Sequence, residues 1–441
     1  MSLAKRHWWK VILMVFVVSA AGVTFIGVKT YQDAPPIPDF RGAHGEVVVA
    51  HDAILRGQVI FQKYALMEHG SMFGDGAGRG PDYTADALHQ LADAMIKQYA
   101  AARTGDSNEG LALARDRTAA ELKANRFNEE NDSVALSDGQ SAAFEKLIAH
   151  YQEMFSGVGK EAFKPSRYIS DPSEIRDLSA FFFWGAWVCA VERPGFTYSY
   201  TNNWPFEPLA GNRPTAQVML WSIVGSMALI GVLGVVLYLY GRMEARELPL
   251  GNGNGRSHVD PAHVAGFVPT ATQRASYKFF AVAAALFVVQ VFAGVLTIHD
   301  FVGFTTFFGV DISKWLPITV VRSWHVQLSL LWIAACWIGA TTFLLPFISP
   351  TEPRGQVKWV NGLFWLLVIL TGGSFVGILL GPMGLIGNWW RAFGHQGWEF
   401  VELGRVWQWA LYGAFVVWAI IVLRGVWPVM RQRDVWAMPN W

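Results

Sequence analysis

Of the eleven histidines in this 441-residue chain, only His325 lies inside a long apolar run, VVRSWHVQLSLLWIAACW. An ionisable side chain in such a run is costly unless it is paired or ligates a metal, so it marks a candidate functional position. Neutral imidazole is a common axial ligand of b-type haem, which needs no cysteine. A plainer reading is a histidine near a helix end, bonded to a neighbouring carbonyl. Residue type alone leaves both open. Arg322, three residues earlier, shares the same helical face. There it would pair with a haem propionate or snorkel to the membrane surface.

Two further groups carry possible chemistry. In GHQGWEFVELGR (394–405), Glu399 and Glu402 stand one helical turn apart and share a face. Paired carboxylates suit a hard cation such as Ca²⁺. On spacing alone, a solvated helix start with favourable dipole interactions fits better. His299 and Asp300 close the third apolar run, where a histidine beside a carboxylate could take protons from a quinol.

The elements that must hold these residues follow from composition. The chain is 52% hydrophobic and 16% charged, well short of the roughly 25% charge of soluble domains. Much of its surface must therefore face membrane lipid. A net charge of +1 excludes a nucleic-acid partner, which would need a basic surplus. Cys189 and Cys336 form no disulfide framework, and the lack of a CxxCH excludes covalently attached haem c.

Runs at 9–28, 218–240, 278–298, 319–347, 362–381 and 406–427 are long enough to span hydrocarbon. Lys5, Arg6 and Lys10 precede the first, but no small-residue cleavage site follows, which predicts a retained helix. Residues 30–217 have ordinary soluble composition, with helical patterns at 85–103, 109–126, 138–156 and 173–192. Their aromatic tract FTYSYTNNWPFEP (196–208) suits the membrane interface. Arg242, Arg246, Arg256, Arg274, Arg354, Lys358, Arg431 and Arg433 fall on one side, against Lys314, Arg391 and Arg405 on the other. The positive-inside rule then places 30–217 outside the cytoplasm. The expected fold is an all-α membrane protein with one mostly helical extramembrane domain.

Five segments in order, GQVIFQ (57–62), GPDYTADALH (80–89), ERPGFTYSYTNNWPFEPL (192–209), RSWHVQL (322–328) and GHQGWEFVELGRVWQ (394–408), carry a resemblance. Together they resemble the N-terminal half of quinol-dependent nitric oxide reductases, in the haem–copper oxidase superfamily. The resemblance implies a multi-pass protein of the bacterial inner membrane. It divides the chain into a transmembrane helix (1–29), a periplasmic cytochrome-c-like domain without haem c (30–217), a second helix (218–240), a cytoplasmic loop (241–277) and the first four core helices (278–441). By the same resemblance His325 is the first axial ligand of a low-spin haem b, beside which Arg322 keeps its two readings. Glu399, with Glu402 beside it and the Gly76 backbone, would hold calcium, and His299 with Asp300 would meet quinol.

Departures from the family shape the expectation. The second low-spin haem ligand, the ligand of the high-spin haem b3, and the histidines and glutamate of the non-haem iron have no counterpart here. No catalytic residue is therefore expected in this chain. Those cofactors would come with a missing C-terminal core, as a second chain or segment, and a homodimer is a further expectation. Gly303 stands where the family has a glutamate four residues after the quinol histidine. The loop reads GDGAG where the family has GHGAY, so Gly78 replaces a tyrosine. The leading expectation is reduction of two NO to N₂O with electrons from quinol. Alternatives are a nitric-oxide-dismutase-like enzyme and a non-catalytic truncated paralogue acting in binding or assembly. Arg322 and His325 would be costly to expose to lipid, so a partner surface is expected.

Overall fold

The computed structural model describes residues 8–74, 79–102, 108–156, 163, 167–247, 267–298, 307, 309–349, 351–396 and 403–430. Helix α1 (Trp8–Gln32) leads into an extramembrane domain built from α2 (His51–Lys63), α3 (Tyr83–Ala101), α4 (Asn108–Lys123), α5 (Asp138–Ser156) and α6 (Pro172–Ala190). Helix α7 (Ala216–Glu247) follows. Then come α8 (Ala271–Thr297), α9 (Ile318–Ile348), α10 (Gln356–Leu380), the single turn α11 (Trp390–Phe393) and α12 (Arg405–Met430). Helices α1, α7, α8, α9, α10 and α12 are long and apolar enough to cross a membrane.

Helices α1 and α7 are apolar on all sides, and nothing among the described residues buries their most apolar stretch. A helix of that kind belongs in lipid or against another membrane helix. The other four pack as a bundle, with α8 lying along α9 and α10 along α12. Two of them start earlier than their apolar runs. Thr270 and Gln273 close a capping box that begins α8, and Gly355, with φ 78°, precedes α10. Hydropathy marks where lipid begins, whereas caps mark where the helix begins. Lys278 consequently lies within α8, bonding Asn361 on α10 and facing the Phe364 ring at 4.6 Å.

The extramembrane domain is mostly helical, as its composition suggested. Its core is aromatic: Phe40, Phe61, Tyr83, Phe144, Tyr151 and Phe182 are all buried. Tyr83 stacks on Phe182 with ring centres 4.6 Å apart. Helix α2 crosses α6 at Gly57, where a Cβ would overlap the Asp177 carbonyl. The first glycine of GQVIFQ is therefore a packing residue. Strands β1 (Asp39–Arg41), β2 (Val47–Val49), β3 (Phe127–Asn128) and β4 (Ser133–Ala135) form a small sheet ordered β2-β1-β4-β3, with β1 and β4 parallel. Such two- and three-residue strands leave no alternation to read.

Much of the aromatic tract at 196–208 serves the domain's own packing. Asn202 and Asn203 take left-handed backbone (φ 56° and 60°), which turns the chain back on itself. Asn203 Oδ1 accepts from the Ser199 amide, and Trp204 Nε1 donates to Gly74 O at 3.2 Å. Tyr200 packs on Trp187.

The domain sits directly on the ends of the bundle. Tyr168 OH meets Thr319 Oγ1 at 2.9 Å at the start of α9, and His395 Nε2 lies 2.9 Å from Lys63 O. The short turn Leu66–Glu68 touches α9 as well.

Candidate functional site

His325 stands two turns into α9 and turns toward α8. Its Nδ1 lies 2.9 Å from the main-chain carbonyl of Gln290. A carbonyl only accepts, so Nδ1 carries the proton. In the neutral ring, Nε2 then keeps its lone pair, and no partner occupies it among the described residues. The neighbouring position on α8 is Gly294, where a Cβ would sit 2.8 Å from His325 Cε1 and 2.9 Å from Nδ1. Glycine is therefore what lets the ring lie against α8. Trp332 reinforces the pairing by donating to the Gln290 side chain at 2.9 Å. Next to His325, Trp324 turns the other way, stacked on Phe375 at 4.1 Å and bonded to its carbonyl. The ring is half-buried, and α9 is held on both sides, by α8 at His325 and by α10 at Trp324.

One turn nearer the extramembrane domain, Arg322 donates from Nη1 to Met67 O at 3.1 Å. Its Nε lies 3.4 Å from Oε2 of buried Glu68, an ion pair too poorly aligned for a good hydrogen bond. Arg79 reaches the same corner from the domain and donates from Nε to Thr297 O, the last residue of α8, at 3.0 Å. Burial, and then the positive charge of Arg322, hold the Arg79 guanidinium below its ordinary pKa, while Glu68 pulls it back up.

Two neutral histidines line the seam between domain and bundle. His69, enclosed near Phe163 and Gly80, lies 2.7 Å from Tyr83 OH. Burial first, then the charge of Arg79, lowers its pKa to about 4. His395 is wholly buried and also lowered to about 4 by burial, against the opposing effect of its bond to Lys63 O. It packs against a glycine stripe on α10. A Cβ on Gly381 would sit 3.0 Å from the His395 ring, one on Gly377 would overlap the Phe393 carbonyl, and one on Gly373 would overlap Trp407.

The structure thus brings His325 and Arg322 to one corner of the bundle and adds Glu68 and Arg79. Sequence reading missed Arg79, whose partner on α8 is 218 positions away. It also missed the glycine stripe, whose spacing of four is the signal that could have marked it. The motif GPDYTADALH is structural where it is described: Asp82 caps α3 through the Ala85 amide and accepts from Ser71 Oγ at 2.7 Å. Gly76, His299, Asp300, Glu399 and Glu402 lie outside the described residues. Among the described residues no group of three or more His, Cys, Asp or Glu side chains is placed to hold a metal ion.

What can this corner bind? A metal-ligating histidine almost always gives its other N–H to a carbonyl or carboxylate, which fixes its tautomer. His325 has that arrangement, with Gly294 giving the ring room against α8, and it fits a ligand of haem. Comparison with known families agrees in kind. Residues 38–206 match the NorB cytochrome c-like domain of nitric oxide reductase. Residues 274–441 match cytochrome c and quinol oxidase polypeptide I. Among curated proteins none matches the chain. The chain is a mostly helical, multi-pass membrane protein, similar over 38–206 to that cytochrome c-like domain and over 274–441 to the oxidase polypeptide.

Proposed function

We propose that this chain is part of a membrane nitric oxide reductase that draws electrons from quinol, by the overall reaction QH₂ + 2 NO → Q + N₂O + H₂O. One observation carries the reading: His325 gives Nδ1–H to the Gln290 carbonyl, which leaves Nε2 as the ligating atom, and Gly294 gives the ring room to lie against α8. Held by His325, a low-spin haem b supplies one-electron transfer.

The chain's own residues then have distinct tasks. Gln290 and Gly294 set the tautomer and tilt of the imidazole, while Trp324 anchors α9 against α10. His325 is the only histidine in the six spans, so the second axial ligand comes from another segment or chain. That partner also supplies the high-spin haem and non-haem iron at which two NO molecules meet. His299 and Asp300, just past the end of α8, are assigned to quinol, taking up its protons as it is oxidised. Glu399, Glu402 and the Gly76 backbone are assigned to calcium. The domain faces the periplasm in this reading, in keeping with the distribution of positive charge.

Reduced-minus-oxidised visible spectra of the purified membrane protein test the reading. The wild type is expected to show a low-spin b-type signal that His325→Ala abolishes. Gly294→Ala is expected to weaken or shift it, because the added Cβ meets the ring at 2.8 Å. A wild type without haem, or a His325→Ala variant with a normal spectrum, defeats the assignment.

A further inference from the structure

At the end of the bundle remote from the extramembrane domain, an open groove of about 300 Å³ runs between α10 and α12. Lys358, Gly362 and Leu366 follow one line along α10, four residues apart. Trp359 and Leu363 lie beside them, and Val417 is the α12 wall. The groove exists because of Gly362. A Cβ there would enter open space, whereas on Gly373 or Gly377 of the same helix it would overlap Trp407 or the Phe393 carbonyl. Glycine weakens a helix interior. Close packing, the reason for it at those two positions, does not apply at Gly362.

The mouth of the groove is cationic. Lys358 and Arg354 are exposed, and their side chains have no partner among the described residues. Arg424 is fixed beside them, donating from Nη2 to Arg354 O at 2.8 Å and from Nε to Gln356 Oε1 at 3.3 Å. Its guanidinium lies 5.9 Å from the centre of the Trp359 ring. In full sequence, the segments 348–361 and 422–441 carry Arg354, Lys358, Arg424, Arg431 and Arg433 against Glu352 and Asp434. Glu352 is turned to α8, where it accepts from the Thr272 amide at 3.0 Å. Tryptophan favours the membrane–water boundary, so the groove opens at headgroup level and runs inward among apolar side chains.

Length decides between occupants. From Lys358 to Leu366 the helix rises about 12 Å, close to the thickness of one hydrocarbon leaflet, about 15 Å. A partner helix would cross both leaflets and need a longer surface. An acyl chain needs one leaflet and a site for its headgroup at the mouth. We propose that the groove binds an anionic phospholipid of the leaflet remote from the extramembrane domain. Its phosphate lies among Lys358, Arg354 and Arg424, and one acyl chain lies along Gly362. Basic pockets between membrane helices suit such headgroups, and the arginine fork matches phosphate oxygens. The site is independent of the haem reading of His325.

The test uses the full chain, with whatever chains copurify, stripped of lipid by exchange into detergent. It is titrated with phosphatidylglycerol or phosphatidylcholine while its melting temperature is followed. A ligand of the folded state raises that temperature as its concentration rises. Phosphatidylglycerol is expected to raise it at concentrations where phosphatidylcholine does not. Lys358→Gln and Gly362→Leu are each expected to shift the phosphatidylglycerol response to several-fold higher concentration, and Lys358→Arg to keep it. Both losses can be read on folded protein, since Lys358 is exposed and a Cβ at Gly362 meets open space. Equal responses to the two lipids overturn the proposal. So does a response that Lys358→Gln removes and Gly362→Leu keeps, which is a surface charge effect without a groove. Loss of a copurifying chain or of a dimer in Gly362→Leu, with the lipid response intact, makes the groove a protein interface and overturns the lipid site as well.

Discussion

The extramembrane domain and the membrane bundle solve the same problem, pairing polar side chains, in different ways. In the domain, side chains pair with side chains and charges meet charges. Arg56 grips Asp177 with bonds of 2.7 and 2.9 Å, and Glu174 accepts from Lys63 and Tyr64. Glu121 gathers Tyr99, Ser137 and Arg117. In the bundle, Gln273, Trp324, His325 and Gln356 each reach a main-chain carbonyl on a neighbouring helix. Among the described residues no ion pair joins two bundle helices. Water solvates and screens a mispaired charge in the domain, whereas a charged side chain in lipid costs several kcal/mol. A helical carbonyl has a second lone pair and is always present. Arg322, at the boundary, uses both kinds of partner.

If this contrast is right, the bundle should be most sensitive to main-chain spacing and the domain to charge state. Gly377→Val is expected to have the largest effect. Its side chain would strike the Phe393 carbonyl and cost about 3 kcal/mol or more by overpacking, read as a lower melting temperature in detergent. The second effect belongs to the domain and its seam. His69 has a folded pKa of about 4, below the ordinary 6.5, so as pH falls the unfolded chain takes up the proton first. Its contribution is complete above pH 6.5 and is lost as pH falls toward 4, on the order of 3 kcal/mol. Melting followed against pH should show this acid limb, and His69→Gln should flatten its own part of it, leaving that of His395. The smallest effect is expected at the surface. Arg56→Ala breaks an ion pair whose arginine side chain is 59% exposed, which is worth up to about 1 kcal/mol and less in high salt. A loss as large as that of Gly377→Val would erase the contrast.

The spans were legible in the sequence because lipid demands apolar runs, and His325 and Arg322 stood out because such runs rarely hold them. Helix starts were less legible, since the capping box at Thr270 lies outside the apolar run. Helix α2 and the four strands were not anticipated. A thirteen-residue helix with GQVIFQ at its core, and strands of two or three residues, carry too little periodicity. Arg79 was read past because its meaning lies in a contact with Thr297 that no local pattern encodes. The acceptor for His325 could not be read at all, because a carbonyl at position 290 is there whatever the residue.

A site oriented in this way drifts over generations under an unusual constraint. The carbonyl that orients His325 is specified by no codon, so no substitution at position 290 can delete it, and no compensating change need arise elsewhere. Paired substitutions, the usual footprint of two touching residues, should be missing for this contact. Its inherited trace is Gly294 instead, a position where nearly every missense change adds a Cβ against the imidazole. Selection on the histidine's orientation is thus expected to surface as constancy of a glycine on the facing helix.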